Sequence, residues 1–197
     1  MIAAEEVALI LLAAGKSVRF GGSKLDTMLG DQPLGLHAAM TLAAMPFARR
    51  IAVTGRCRID YSAHGFDVIP NDDPIGDMAS SLRLGVAAAG DVAAVLIVLA
   101  DMPGVTAGHV HRLLEAADGL EAIVASGGGG SPRPPALFGR LWFGTLATIT
   151  GDHGARDLIR SGKQVEAAPG ELVDIDTPED LQRLASDPPF SPGVHLV

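Results

Sequence analysis

The sequence predicts an α/β protein in which a mostly parallel sheet lies between two helical layers, an α/β/α sandwich. Three observations lead there. Val7–Ala13 and Ala93–Ala100 are apolar at every position with no alternation, the pattern of a strand buried on both faces. Shorter strand-like runs alternate with helix-period segments, which implies βαβ units with right-handed crossovers. No internal repeat or linker divides the 197 residues, and 48% hydrophobic content with 24 Gly and 13 Pro suits one globular body with many tight turns. With aromatics at 4%, Ala, Val and Leu must form most of the core.

Each element has its own signal. After Val7–Ala13 the chain breaks into a loop rich in Gly and cations, from Gly15 to Lys24. Pro33 opens a helical stretch to about Met45, Pro being favoured in a first turn. Arg50–Thr54 and Phe66–Pro70 read as short strands. Asp77–Ala89 reads as a helix with Met78, Leu82, Val86 and Ala89 on one face. Ala93–Ala100 is the second long strand and ends at Asp101-Met102-Pro103. Thr106 caps a helix running to about Asp118, with Val110, Leu113, Leu114 and Ala117 inward. Glu121–Ala125 is a further strand, and Gly127–Pro135 a flexible or ligand-facing segment. Gly139–Thr148 and Ala155–Arg160 look helical, and Gln164–Ala168 and Leu172–Ile175 extended. Thr177 as N-cap, Pro178 at N1 and Asp180 at N3 start a last helix. Residues 1–186 read as a single domain, and 187–197 as a Pro-rich C-terminal tail lying over the surface.

The formal net charge of −8 gives none of the basic footprint of a nucleic-acid binder. Cys57 is the one cysteine, so no internal disulfide forms; it reads as a small strand-end residue. The N-terminus is acidic at Glu5 and Glu6, unlike a signal peptide, and no apolar run reaches the roughly 18 residues of a membrane span. The expectation is a cytoplasmic protein with no membrane partner. His37, His64, His109, His111, His153 and His195 lack metal-ligand spacing and read as solvated or packed. Trp142 and Phe143 read as core or rim, with acceptor stacking as the alternative.

In an open parallel sheet, ligands bind outside the carboxyl ends of the strands. Both long strands end in chemistry there. Gly15, Gly21 and Gly22 let backbone amides approach a ligand, and Arg19 and Lys24 place a guanidinium fork and a compact ammonium in the same loop. That combination suits a diphosphate leaving group, although an exposed turn with scattered cations is the plainer reading. Neither a Walker loop nor the Gly-x-Gly-x-x-Gly fingerprint fits the order of residues. At the end of the other strand, Asp101 offers a hard oxygen of the kind Mg²⁺ takes, together with phosphate oxygens and water. The alternative for Asp101 is a helix-capping role before Pro103.

The loop Leu12-Ala13-Ala14-Gly15-x-Ser17-x-Arg19-Phe20-Gly21-x-x-Lys24 resembles the signature of the MobA-like nucleotidyltransferases. This family includes the molybdenum-cofactor cytidylyl- and guanylyltransferases, within the Rossmann-like nucleotide-diphospho-sugar transferase fold. The likeness continues along most of the chain. Asn71-Asp72 with Gly76 and Ser80-Ser81-Leu82 is similar to the stretch beside the base, and Leu99–Pro103 to the metal-binding strand end. Pro135–Phe138 and Gly151-Asp152-x-Gly154-Ala155-Arg156 are similar to the acceptor side of the cytidylyltransferase branch, and Asp174–Leu181 to the closing motif.

The resemblance implies an Mg²⁺-dependent enzyme that moves an NMP group, CMP favoured over GMP, from an NTP onto a phosphorylated acceptor such as molybdopterin. It implies that Leu12, Ala13, Ala14, Gly15, Arg19, Lys24, Asn71 and Ser81 bind nucleotide, with Arg19, Lys24 and Asp101 catalytic. It implies that Asp176 joins Asp101 on the metal, with Asp174 beside it, unless Asp176 only caps the last helix. Arg133, Asp152 and Arg156 fall on the acceptor side, and a molybdoenzyme or its chaperone would be the protein partner. Where the cytidylyltransferases carry Gly-His-Pro, this chain has Ser131-Pro132-Arg133-Pro134-Pro135, so the acceptor stays open. A sugar phosphate or another small phosphorylated acid is the alternative acceptor, and a non-catalytic nucleotide- or cofactor-binding module the alternative class.

Overall fold

The computed structural model describes residues 1–15, 20, 22–73, 77–151 and 156–186. The first long apolar run is β1 (Val7–Ala13), buried at every position. Val7, Leu9, Leu11 and Ala13 face one apolar cluster, and Ala8, Ile10 and Leu12 another. The two clusters are the two interfaces of a three-layer sandwich. A strand that must satisfy both has no position for a polar residue.

Around β1 the sheet grows by parallel pairing. β4 (Arg49–Thr54) lies on one side with β5 (Asp67–Pro70) beyond it, and β6 (Ala94–Leu99) lies on the other. Then come β8 (Arg133–Gly139), β7 (Ile123–Gly127) and β9 (Lys163–Glu166), giving the order β5-β4-β1-β6-β8-β7-β9. β8 runs antiparallel to both its neighbours. α1 (Leu34–Ala43) and α3 (Ala107–Ala116) contribute Ala38, Ala39, Leu42, Val110 and Leu113 to the first cluster. α2 (Met78–Ala88), α4 (Phe143–Leu146) and α5 (Arg156–Ser161) contribute Leu82, Val86, Leu146 and Ile159 to the second. A small ribbon, β2 (Met28–Leu29) with β3 (Gln32–Pro33), meets α6 (Pro178–Ala185) through Leu29, Leu34, Ile175 and Leu181.

Several expectations are corrected. Gly127–Pro135 is not simply a loop, because Arg133 begins β8. The register slips between Ala125 and Ser126, so that Ser126 pairs with Arg133 while Pro134 and Pro135 fall in the irregularity. Two residues without an amide donor are tolerated in mid-sheet only at such a place. Leu172–Ile175 is irregular rather than a strand; Ile175 donates a single bond to the Asp101 carbonyl at 3.2 Å, past the end of β6. The stretch from Gly139 begins as the end of β8, and only 140–146 turns helically. β7 starts two residues later than expected, because the turn at Gly119 (φ 76°) takes up Ala122. Met78 does not join Leu82, Val86 and Ala89 inside but stays 38% exposed at the mouth of a cavity. Pro33 is the N-cap of α1 rather than its first residue, since its extended backbone also pairs with Met28. The expected tail, 187–197, lies outside the described residues.

One set of buried polar groups ties a helix to the sheet. His109 is fully buried, and its Nδ1 accepts from the Arg112 guanidinium at 3.1 Å. Its Nε2 therefore carries the proton and donates to Ser126 Oγ at 2.7 Å, and Ser126 donates in turn to the Pro135 carbonyl at 2.7 Å. This chain of donors links α3, β7 and β8. His111, two residues on, is exposed, as residues two apart on a helix must diverge.

Candidate active site

The register of the two long strands builds the site. Leu12 pairs with Leu99, and the Ala100 amide bonds the Leu12 carbonyl at 3.1 Å, so Ala13–Gly15 and Asp101 leave the sheet side by side. At Gly15 an added Cβ would meet nothing within 4 Å among the described residues, so packing against them does not call for a glycine there. Next to it, Gly55 lies so close to the Ala14 backbone that its missing Cβ would come within 3.0 Å of Ala14 Cα.

Lys24 sits on a one-turn 3₁₀ helix, Lys24–Asp26, and is only 7% exposed. Its Nζ is 2.6 Å from Asp101 Oδ2, 2.7 Å from the Ile175 carbonyl and 3.5 Å from Asp176 Oδ1. Burial works against the ammonium. The charge and hydrogen bond of Asp101, with the charges of Asp174 and Asp176, more than offset it and raise the lysine above its ordinary range. Asp101 keeps one carboxylate oxygen, Oδ1, buried and without a hydrogen-bond partner among the described residues. A buried carboxylate oxygen left this way is a cost unless a cation claims it.

Asp174 is exposed at the rim of the neighbouring cavity, where its carboxyl loses part of its water. That loss, followed by the charge of Asp101, pushes its carboxyl up to about 6 against the opposing pull of Lys24. Asp176 is not the helix cap. Thr177 caps α6, its hydroxyl accepting from the Asp180 amide at 3.2 Å while Asp180 accepts from Thr177 N at 2.9 Å. The reciprocal box leaves the Asp176 carboxylate to face Lys24. Asp101 and Asp176 thus supply hard oxygen donors of the kind a magnesium-type ion takes. Among the described residues no group of three or more His, Cys, Asp or Glu is arranged for a metal.

Asn71 and Ser81 do come together, joined by a side-chain hydrogen bond. Asn71 Nδ2 donates to Ser80 Oγ at 2.9 Å and Ser81 Oγ at 2.8 Å, and its amide bonds the Thr54 carbonyl at 2.8 Å. They fasten the entry of α2 to the end of β4. Recognition of a base by this stretch would fall to backbone groups.

A cavity of about 400 Å³ lies beside Asp101, floored by Leu12, Leu82, Ile97 and Leu99 and edged by Arg133, Arg156, Arg160 and Asp174. Arg133 reaches it because β8 is antiparallel: its first residue, not its last, lies at the carboxyl ends of the neighbouring parallel strands. Arg160 and Met102 also line it and were not among the expected site residues. Arg160 was within reach, standing one helical turn after Arg156 on α5. Arg19 and Asp152 lie outside the described residues, as do Gly21, Gly76 and His153. Among the described residues no helix is long and apolar enough to cross a membrane.

Comparison with known proteins agrees with this fold. Residues 9–167 match the model of the MobA-like NTP transferase domain. The purine catabolism protein PucB of Bacillus subtilis (strain 168) is 29% identical over 190 residues, covering 87% of this chain and 92% of PucB. The crystal structure of a Mycobacterium tuberculosis rv0371c homologue from Mycobacterium sp. strain JC1 superposes with a TM-score of 0.80 at 28% identity, covering 92% of this chain and 96% of that one. Rv0371c from M. tuberculosis H37Rv, in complex with manganese, shares the fold with a TM-score of 0.74 at 24% identity, covering 95% of this chain and all of its own (100%).

Proposed function

Since the chain belongs to the MobA-like NTP transferase family, we propose that it transfers an NMP group, CMP in preference to GMP, from an NTP to molybdopterin or the molybdenum cofactor. Pyrophosphate is the second product, Mg²⁺ the metal and the cytoplasm the setting, and residues 1–186 act as one nucleotidyltransferase domain. The observation that carries the reading is the 2.6 Å meeting of Lys24 and Asp101 where the two central strands end. A buried cation and a carboxylate with one oxygen unclaimed among the described residues stand at one point, next to the backbone at Gly15.

The acceptor phosphate attacks the α-phosphorus in line. A new P–O bond forms there, the bond to the bridging α,β-oxygen breaks, and pyrophosphate leaves with that electron pair. An ionised phosphate is already nucleophilic, so positioning and charge neutralisation supply the catalysis. Lys24 turns its ammonium from Asp101 toward the α-phosphate, and Arg19 holds the leaving pyrophosphate. Asp101 and Asp176 would hold Mg²⁺, which when bound supplies charge neutralisation on the phosphate oxygens. Leu12–Gly15 present backbone groups to the nucleotide. Arg133, Arg156 and Asp152 orient the acceptor.

The apolar floor of the cavity favours a ring system carrying a phosphate over a plain sugar phosphate, which would leave Leu82, Ile97 and Leu99 without partners. Pyrophosphate release tests the reading, with each of the four NTPs and Mg²⁺ offered alongside molybdopterin or a sugar phosphate. Release with CTP and molybdopterin supports it. Release only with a sugar phosphate moves the acceptor, and no release with any pair leaves a binding module.

A further inference from the structure

Building on that reading of the site, we infer that the Lys24 ammonium holds the cation place on Asp101 in the nucleotide-free protein, so that divalent metal and nucleotide enter as a coupled pair rather than metal first. Three oxygens converge on Lys24 Nζ: Asp101 Oδ2 at 2.6 Å, the Ile175 carbonyl at 2.7 Å and Asp176 Oδ1 at 3.5 Å. An ammonium has three protons to donate, and among the described residues these three oxygens lie within reach of them. Two of the three oxygens belong to the carboxylates that would hold the metal.

Arriving alone, a dication finds Asp101 Oδ1 unclaimed but a buried positive charge on the other oxygen of the same carboxylate. It brings Lys24 no new oxygen to donate to, and the lysine is only 7% exposed. Like charges at such range in a low-dielectric site repel strongly. A nucleotide changes the balance, because its phosphate oxygens offer the ammonium a replacement for Asp101 and free the carboxylate. Metal and nucleotide then tighten each other by the same factor, as linkage requires.

The probe is Mn²⁺, followed by the electron paramagnetic resonance of the free ion, with the α,β-methylene analogue of CTP as nucleotide. Wild type is expected to bind Mn²⁺ weakly alone, and to bind the analogue at least about tenfold more tightly when Mn²⁺ is present. Lys24→Met removes the charge and keeps the apolar stem; it should bind Mn²⁺ alone at least about tenfold more tightly than wild type and lose most of the coupling. Lys24→Arg restores a cation and should restore weak binding. Lys24→Gln, which keeps a donor for the Ile175 carbonyl, serves the same comparison should Lys24→Met not fold. The inference is overturned if neither neutral variant gains Mn²⁺ affinity while wild type still binds Mn²⁺ with the analogue. If wild type binds no Mn²⁺–analogue pair under any condition, the functional reading itself falls and takes this one with it.

Discussion

Asp101→Asn is the sharpest test of the site, because it removes a charge and almost no volume. In the folded protein the Asp101 carboxylate is within 2.6 Å of Lys24 and its side chain is 18% exposed. Deleting one partner of a fully buried ion pair costs about 3–5 kcal/mol. Here the loss is smaller: the carboxamide oxygen still accepts from Nζ, and Asp174 and Asp176 still face the ammonium. About 1–2 kcal/mol is the expected stability cost, the scale of one hydrogen bond to a charged group. For a chain of this size that lowers Tm by about 2–8 °C. Catalysis should suffer more. Losing one preorganised electrostatic group takes about 2–4 kcal/mol from the transition state, or about 30- to 900-fold in kcat/KM. Pyrophosphate release, measured well below the variant's Tm with CTP, Mg²⁺ and molybdopterin, reads this directly. A variant within about threefold of wild type in kcat/KM would remove Asp101 from the mechanism, whatever its stability.

Arg133→Ala should raise KM for the acceptor about 10- to 100-fold, the scale of one charge-assisted hydrogen bond, while KM for the nucleotide stays put; an unchanged acceptor KM discards the role. Gly85→Ala should destabilise the fold by about 1–2 kcal/mol despite alanine's better helix propensity. Its Cβ would lie 2.5 Å from Ile10 Cγ2, which a urea midpoint equal to wild type would contradict. His109 supplies a pH test. Burial, assisted by the Arg112 charge and opposed by Glu171, holds its ring below its ordinary value of 6.5. A base depressed in the folded state contributes stability that is full above the unfolded value and lost as pH falls below it. His109→Gln should therefore cost less stability at about pH 5.5 than at about pH 7.5, by urea unfolding; an equal cost at both would show that the ring is not held neutral.

What could be read from the residues alone was whatever depended on burial over a long stretch. Val7–Ala13 could be placed to the residue because seven consecutive positions obey one rule. Thr177, Pro178 and Asp180 announced a cap because each answers a separate requirement of a helix start. The meeting of Lys24 and Asp101 was legible for the same reason: each follows one of the two most apolar strands, and such strands pair in the middle of a sheet. β8 was hidden because Pro134 and Pro135 argue against a strand, and only the slipped pairing beside Ser126 accommodates them. Asn71 and Ser81, expected beside the nucleotide, were legible only as neighbours of a helix start. Their spacing along the chain does not reveal that the amide of one is spent on the hydroxyl of the other. Asp174 and Asp176 differ by two residues and both act on Lys24, and only the folded irregular segment shows that one opens onto the cavity while the other faces the ammonium.

The two halves of the reaction rest on parts of the fold that differ in how firmly they are held. Lys24 and Asp101 depend on β1 and β6, whose side chains pack in both clusters and whose register Leu12↔Leu99 fixes the distance between the two loops. A shift of one residue there would turn every side chain of β1 to the opposite face, so the ends of these two strands have almost no freedom to drift. Arg133, Arg156 and Arg160 depend on the slipped end of β8 and on the six-residue helix α5. Substitutions there alter a cavity wall without disturbing the pairing at the centre of the sheet. A family built this way can keep one nucleotide chemistry while its acceptors diverge. Ser131-Pro132-Arg133-Pro134-Pro135, standing where the resemblance led to an expectation of Gly-His-Pro, falls at that less constrained end of the sheet.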